Sequence, residues 1–171
     1  RRLRENLRED IILVIDAAYA EFMEEADYAD GAALVDEHPN VVMTRTFSKI
    51  YGLAALRLGW AYCPFAIADV LNRIRGPFNV AMAAQEAGIA AVEDQDFVQE
   101  NLAYNRAERD YLQQQLGGLG LDFVPSYGNF ILVKFPEEPG HNADDVQSYL
   151  KANGVIVREM GAYGLPQYLR V

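Results

Sequence analysis

The chain holds 171 residues, about one domain's length on the size prior. A composition of 51% hydrophobic and 23% charged residues is that of an ordinary soluble globular fold and excludes a disordered or fibrous chain. Lys+Arg 15 against Asp+Glu 25 leaves −10 at pH 7, a balance that argues against a nucleic-acid or anionic-membrane partner.

No apolar run approaches the roughly 20 residues needed to cross a bilayer. The start, RRLRENLRED, lacks the apolar stretch of a secretion signal, so a cytoplasmic location is expected. The one cysteine, Cys63, cannot form an intrachain disulfide. With His38 and His141 far apart, a zinc centre has too few ligands, and no metal is expected.

In chain order, Leu3 to Asp10 reads as the last turns of a helix. Ile11 to Ile15 is a continuous apolar run, β-branched except at Leu13, of the kind buried on both faces of a parallel sheet, with Asp16 at its end. The acidic connector Glu21 to Asp30 reads as a solvated face. A helix is predicted over Gly31 to Glu37, closed by His38-Pro39, and a second strand over Asn40 to Thr44. Strand, helix, strand makes a crossover unit with parallel strands. Ligands sit at the carboxyl ends of such strands, which puts Asp16 and Thr46-Phe47-Ser48-Lys49 at one rim.

Gly59 to Cys63 reads as a third strand and Phe65 to Ile74 as a helix. Val80 to Val92, alanine-rich and nearly uncharged, reads as a mostly buried helix. Asp96 to Leu116 is a long polar helix stopped by Gly117-Gly118. Strands are then predicted over Leu121 to Val124, Phe130 to Phe135, Val155 to Arg158 and from Tyr168 on, with a helix over Ala143 to Asn153. The change of texture puts a boundary near residue 93, before a smaller α+β module.

Lys49 is the residue that stands out. Between Val41 and Cys63 the only charges are Arg45, Lys49 and Arg57, set among Phe47, Ile50, Leu53, Leu56, Leu58 and Trp60. A lysine desolvated near other cations gives up its proton more readily, the condition for a Schiff-base-forming amine. A snorkelling lysine fits the same surroundings. The company it keeps favours chemistry: Ser48 and Arg57 suit a phosphate, Asp16 suits a protonated ring nitrogen, and Tyr19 suits a phenolate oxygen. Together these are the electrostatic frame of a pyridoxal phosphate site.

The run Thr46-Phe47-Ser48-Lys49-Ile50-Tyr51-Gly52-Leu53-Ala54-Ala55-Leu56-Arg57-Leu58-Gly59-Trp60 resembles the cofactor-lysine segment of histidinol-phosphate aminotransferases, among the aspartate-aminotransferase-like (fold type I) pyridoxal enzymes. Val14 to Phe22 is similar to that family's Asp-Glu-Ala-Tyr-x-x-Phe segment, with Ala17 in place of the glutamate. Pro77-Phe78-Asn79-Val80, Asn129 to Leu132, Val155 to Arg158 and Gly164 to Arg170 follow in the family's order, so the likeness runs the length of the chain.

The resemblance implies an α/β fold: residues 1–93 as the C-terminal half of the pyridoxal-phosphate-binding large domain, with a mainly parallel sheet, and 94–171 as a small α+β domain truncated at its C-terminus. It implies that Lys49 carries the cofactor covalently and moves the substrate proton. Asp16 would pair with the ring nitrogen and Tyr19 with the ring 3′-oxygen, while Ser48, Arg57 and Thr46 would hold the phosphate. Arg170 would grip the substrate α-carboxylate, Arg158 a substrate phosphate, and Asn129 would lie near the carboxylate end. The implied reaction is amino transfer from histidinol phosphate to 2-oxoglutarate in histidine biosynthesis, by a homodimer. Family members are about twice this long, so the piece alone is expected to be inactive. Rival expectations are an aromatic aminotransferase, a threonine-phosphate decarboxylase, or a non-catalytic binding or assembly domain.

Overall fold

The computed structural model describes residues 2–171, which divide into two compact units, one reaching to Leu102 and one spanning Ala103–Val171. The texture change near residue 93 and this division differ in place. Val98 and Leu102 pack with Phe22 and Ile50, which keeps the first turns of the long helix with the first unit.

The first unit opens with a single helical turn, α1 (Arg2–Glu5), in place of the longer helix expected to Asp10. Asn6 Nδ2 donates to the Arg2 carbonyl at 2.7 Å and ends it. Next come β1 (Leu13–Asp16), a 3-10 turn over Ala20–Phe22, α2 (Ala32–Glu37) and β2 (Val41–Thr46). A second 3-10 turn covers Ala54–Leu56 and leads to β3 (Gly59–Tyr62), α3 (Phe65–Ile74) and α4 (Met82–Glu93). β1 and β2 are parallel, Leu13 opposite Val41 and Asp16 opposite Thr44, as the crossover reading requires. β3 joins β2 antiparallel, Thr46 opposite Gly59, so the sheet is mixed.

The core of this unit is Ala17, Ala20, Val35, Val41 and Met43, with Leu13, Ile15, Ala32 and Leu34 packed on it. Gly31 starts α2 at φ +98, and a Cβ there would meet Ile15 Cδ1 at 2.6 Å, so both backbone angle and space require glycine. Two expectations need correcting. β1 is covered on one face only: Leu13 and Ile15 face the core, while Ile12 and Val14 are each 57% exposed. α4 buries only Ala84 and Gly88, and Met82, Ile89 and Val92 stand open. Apolar composition measures a preference for burial, and among the described residues too little packs over those side chains to bury them.

The long helix α5 (Gln95–Gly118) runs through the two glycines expected to stop it. Its end is set by Gly120 at φ +75. Leu121 N–H bonds the Leu116 carbonyl at 3.1 Å and Gly120 N–H the Gly117 carbonyl at 3.0 Å, the paired bonds of a left-handed C-cap. In the second unit follow β4 (Asp122–Val124), β5 (Leu132–Lys134), α6 (Ala143–Ala152), β6 (Arg158–Glu159), a 3-10 turn over Gly161–Tyr163 and β7 (Tyr168–Arg170). The sheet order is β4-β5-β7-β6, antiparallel throughout. Pairing in β6 begins only at Arg158, with Val157 just before it packed on the core, so the strand is shorter than the one expected from Val155. Ile131, Val133, Phe135, Ala143 and Leu169 form the core.

Candidate active site

Asp16 closes β1 and is exposed at its carboxyl end. Its Oδ1 accepts the Ala18 N–H at 3.2 Å, an Asx turn that swings the chain off the sheet toward Tyr19. Tyr19 caps the Ala20–Phe22 turn, and its ring tilts against Phe22 at 6.1 Å between centroids. Lys49 Nζ stands 4.9 Å from the centroid of the Tyr19 ring, within cation–π range. The lysine is half-buried, flanked by Phe47 and Ile50, which are 7% and 4% exposed. Of the remaining apolar neighbours, Leu53 and Leu58 are half-buried while Leu56 and Trp60 are exposed.

The segment bearing Lys49 is a tied loop. Phe47 N–H bonds the Leu58 carbonyl at 3.1 Å, and Leu53 N–H bonds the Phe47 carbonyl at 2.9 Å. Gly52 N–H bonds the Lys49 carbonyl at 2.9 Å, and Thr46 Oγ1 accepts the Ser48 N–H at 3.0 Å. Thr46 therefore shapes the turn that presents Ser48 and Lys49. Arg57 adopts φ +52, a left-handed conformation unusual for a side chain of its size, and donates to the Ala54 carbonyl at 2.8 Å and to Ser48 Oγ at 3.5 Å. A strained backbone that sets a guanidinium beside a hydroxyl is the kind of outlier that points to function. The pair offers several donors to one anion.

Sequence reasoning misread Arg45. Its Nη1 donates to Glu21 Oε1 at 2.8 Å and its Nη2 to Asp30 Oδ2 at 2.6 Å, so the cation is compensated and adds no net positive charge near Lys49. The two ends of the acidic connector are accordingly not a solvated face: the Glu21 side chain is 12% exposed and that of Asp30 31%. The Arg45 guanidinium also lies 5.8 Å from the Trp60 ring centroid, its cross-strand partner. Glu21 Oε2 and Arg45 Nε are buried without a hydrogen-bond partner among the described residues, a desolvation cost that the paired atoms offset. The Ala32 N–H, and beyond it Arg45, holds the Asp30 carboxyl below the usual range despite its partial burial. Burial first, then Glu21, pushes the Tyr51 hydroxyl up. The usable signal was the lone arginine at position 45 facing glutamate and aspartate in one connector.

In the second unit, Arg158 and Arg170 are opposite each other in the β6–β7 register. Arg158 Nη2 donates to the Tyr163 hydroxyl at 2.9 Å with its guanidinium over that ring, and the Arg170 guanidinium lies 5.2 Å from the Phe130 ring centroid. Asn129 is exposed on the loop between β4 and β5. That loop is fastened by three α5 side chains at helical spacing. Asn105 donates to the Gly128 carbonyl at 3.2 Å and Arg109 to the Tyr127 carbonyl at 3.2 Å, and Gln113 accepts the Ser126 N–H at 3.4 Å. The spacing of these three was readable in the sequence but had no partner until the loop was placed.

The chain matches the model of aminotransferase class I and II over residues 1–171. It is 55% identical over 170 residues to the histidinol-phosphate aminotransferase of Maricaulis maris (strain MCS10) and 53% identical to that of Rhodospirillum centenum, covering 99% of this chain and 47% of each relative. It also resembles the crystal structure of histidinol-phosphate aminotransferase from Sinorhizobium meliloti in complex with pyridoxal-5′-phosphate. There the TM-score is 0.89 at 29% identity, over 99% of this chain and 46% of that one. The chain spans about half the length of the relatives it matches. By sequence and fold alike, it belongs to the aminotransferase class I and II family.

Proposed function

We propose that the protein carrying this chain at its full natural length binds pyridoxal phosphate and transfers an amino group from histidinol phosphate to 2-oxoglutarate, giving imidazole acetol phosphate and glutamate in histidine biosynthesis. The observation that carries this reading is the half-buried Lys49 over Tyr19, on the loop whose Ser48 hydroxyl meets the Arg57 guanidinium. The donor set fits the cofactor: an amine for an aldehyde, a hydroxyl and a guanidinium for a phosphate, and a carboxylate on the adjacent strand end for a ring nitrogen. The names of the relatives from Maricaulis maris and Rhodospirillum centenum support histidinol phosphate as the donor.

When bound, pyridoxal phosphate supplies the electron sink for the pair released from the substrate's Cα–H bond. Lys49 Nζ would take that proton from the substrate's Cα and hold it within the site for return. The Asp16 carboxylate holds a proton on the ring nitrogen. The Tyr19 hydroxyl donates to the ring oxygen. Ser48 Oγ and Arg57 bind the cofactor phosphate, with Thr46 fixing the Ser48 amide. Arg170 binds the substrate carboxylate as a fork, and Arg158 binds the substrate phosphate. Asn129 is assigned to the carboxylate side, and a homodimer is assigned from the family likeness.

Glutamate formation from 2-oxoglutarate, assayed with histidinol phosphate and with aromatic amino acids, tests the donor. Turnover confined to aromatic donors would overturn it, as would release of carbon dioxide from threonine phosphate without amino transfer.

A further inference from the structure

Resting on the assignment of Lys49 and Tyr19 above, we infer that Arg45 is a positioning residue that holds the Tyr19 ring in place beside Lys49. Arg45 sits on β2 immediately before Thr46, the residue that shapes the Lys49 loop. Its fork is divided between two carboxylates, Glu21 and Asp30, 24 and 15 residues away along the chain. Glu21 lies inside the 3-10 turn that Tyr19 caps. One guanidinium therefore pins both ends of the connector that follows Tyr19 to the strand that leads into Lys49.

The neighbouring groups fit a stiff anchor. The Arg45 side chain is 15% exposed and that of Glu21 12%, so the pair is desolvated and its geometry is costly to relax. Phe22, beside Glu21 in the turn, is buried with Ile50, beside Lys49, and both Tyr19 and Tyr51 pack on that cluster. Tyr51, two residues beyond Lys49, feels the charge of both Glu21 and Arg45. Displacement of the anchor thus moves the turn under Tyr19 and the floor under Lys49 together. A lysine at position 45 keeps the charge but cannot reach two carboxylates in a planar fork.

The test uses the full-length, cofactor-loaded protein. Arg45→Lys is expected to lower kcat about 10- to 100-fold, the loss typical of a small misplacement of reacting groups, with the KM for the amino donor nearly unchanged. Glu21→Gln, which keeps size and shape, is expected to reproduce part of that loss and serves if Arg45→Lys folds poorly. The pair Arg45→Lys and Tyr19→Phe is expected to be non-additive, the double variant losing clearly less than the product of the two single losses. Without cofactor, the amides of Ala20, Phe22 and Met23, which donate to the carbonyls of Ala17, Tyr19 and Ala20, are expected to exchange with solvent faster in Arg45→Lys.

Additive losses, a kcat equal to that of the unsubstituted protein, or a rise in KM alone would overturn the inference. Failure of borohydride to fix a pyridoxyl group on Lys49 of the unsubstituted protein would instead overturn the cofactor assignment beneath it.

Discussion

Arg158 and Arg170 are direct partners across the β6–β7 pairing, so their side chains leave the sheet on one face. Like charges in that position oppose pairing, and each guanidinium is steadied by its own aromatic ring, Tyr163 or Phe130. A strand pair that concentrates positive charge this way suits an anionic ligand. Arg158→Gln in the full-length protein is expected to leave the melting temperature unchanged or slightly higher while raising the KM for a phosphorylated donor at least tenfold, a loss of about 1.4 kcal/mol of binding. Equal KM values in steady-state assays would remove Arg158 from the substrate side.

Arg57 offers a second separation of stability from function. Its left-handed backbone costs a non-glycine residue about 1–2 kcal/mol. Arg57→Gly relieves that strain and removes the donors beside Ser48. Stability by urea unfolding is expected to hold or rise, and the affinity for pyridoxal phosphate, measured by fluorescence titration, to fall. An undiminished affinity would show that this guanidinium does not hold the phosphate.

Leu169 is 1% exposed at the centre of the second unit, between Tyr168 and Arg170 on β7. Leu169→Ala is expected to cost about 2–5 kcal/mol through lost burial and the cavity it leaves. Urea unfolding followed by circular dichroism reads this directly, and a cost below about 1 kcal/mol would mean that the core closes around the gap.

Stability should also respond to pH at both ends. The Asp30 carboxyl is held below its ordinary value, so its contribution is complete above pH 3.8 and is lost as the pH falls through the lower folded value, because the unfolded chain takes up its proton first. The Tyr51 hydroxyl is raised by burial, so its contribution is complete below pH 10.0 and is lost as the pH climbs toward the higher folded value. Melting temperatures across pH should show an alkaline fall that is shallower in Tyr51→Phe. An identical fall in that variant would assign the effect elsewhere.

Much of the architecture was legible because it depends on local signals. The apolar run before Asp16 marks a strand through its side chains, Pro39 after α2 and Pro64 before α3 mark element ends through backbone chemistry, and α3 occupies the residues expected of it. The Lys49 segment was legible as a connection, because Thr46 ends β2 and Gly59 begins β3 on either side of it. What escaped depended on partners distant in sequence. Arg45 looked like a lone cation until β2 brought it against Glu21 and Asp30. The apolar composition of α4 predicted burial, yet burial depends on what packs over a helix, and Met82 stands 78% exposed. Gly117 and Gly118 suggest a stop, but both stay within α5, and the left-handed residue that closes its cap is Gly120.

Everything assigned to the first unit converges on the amine of Lys49. Reduction of the full-length, pyridoxal-phosphate-treated protein with borohydride, followed by peptide mass mapping, tests that assignment most directly. A pyridoxyl mass on the peptide containing Lys49, lost in Lys49→Ala, is the expected result. A reduced adduct confined to other lysines, or none at all, would contradict it.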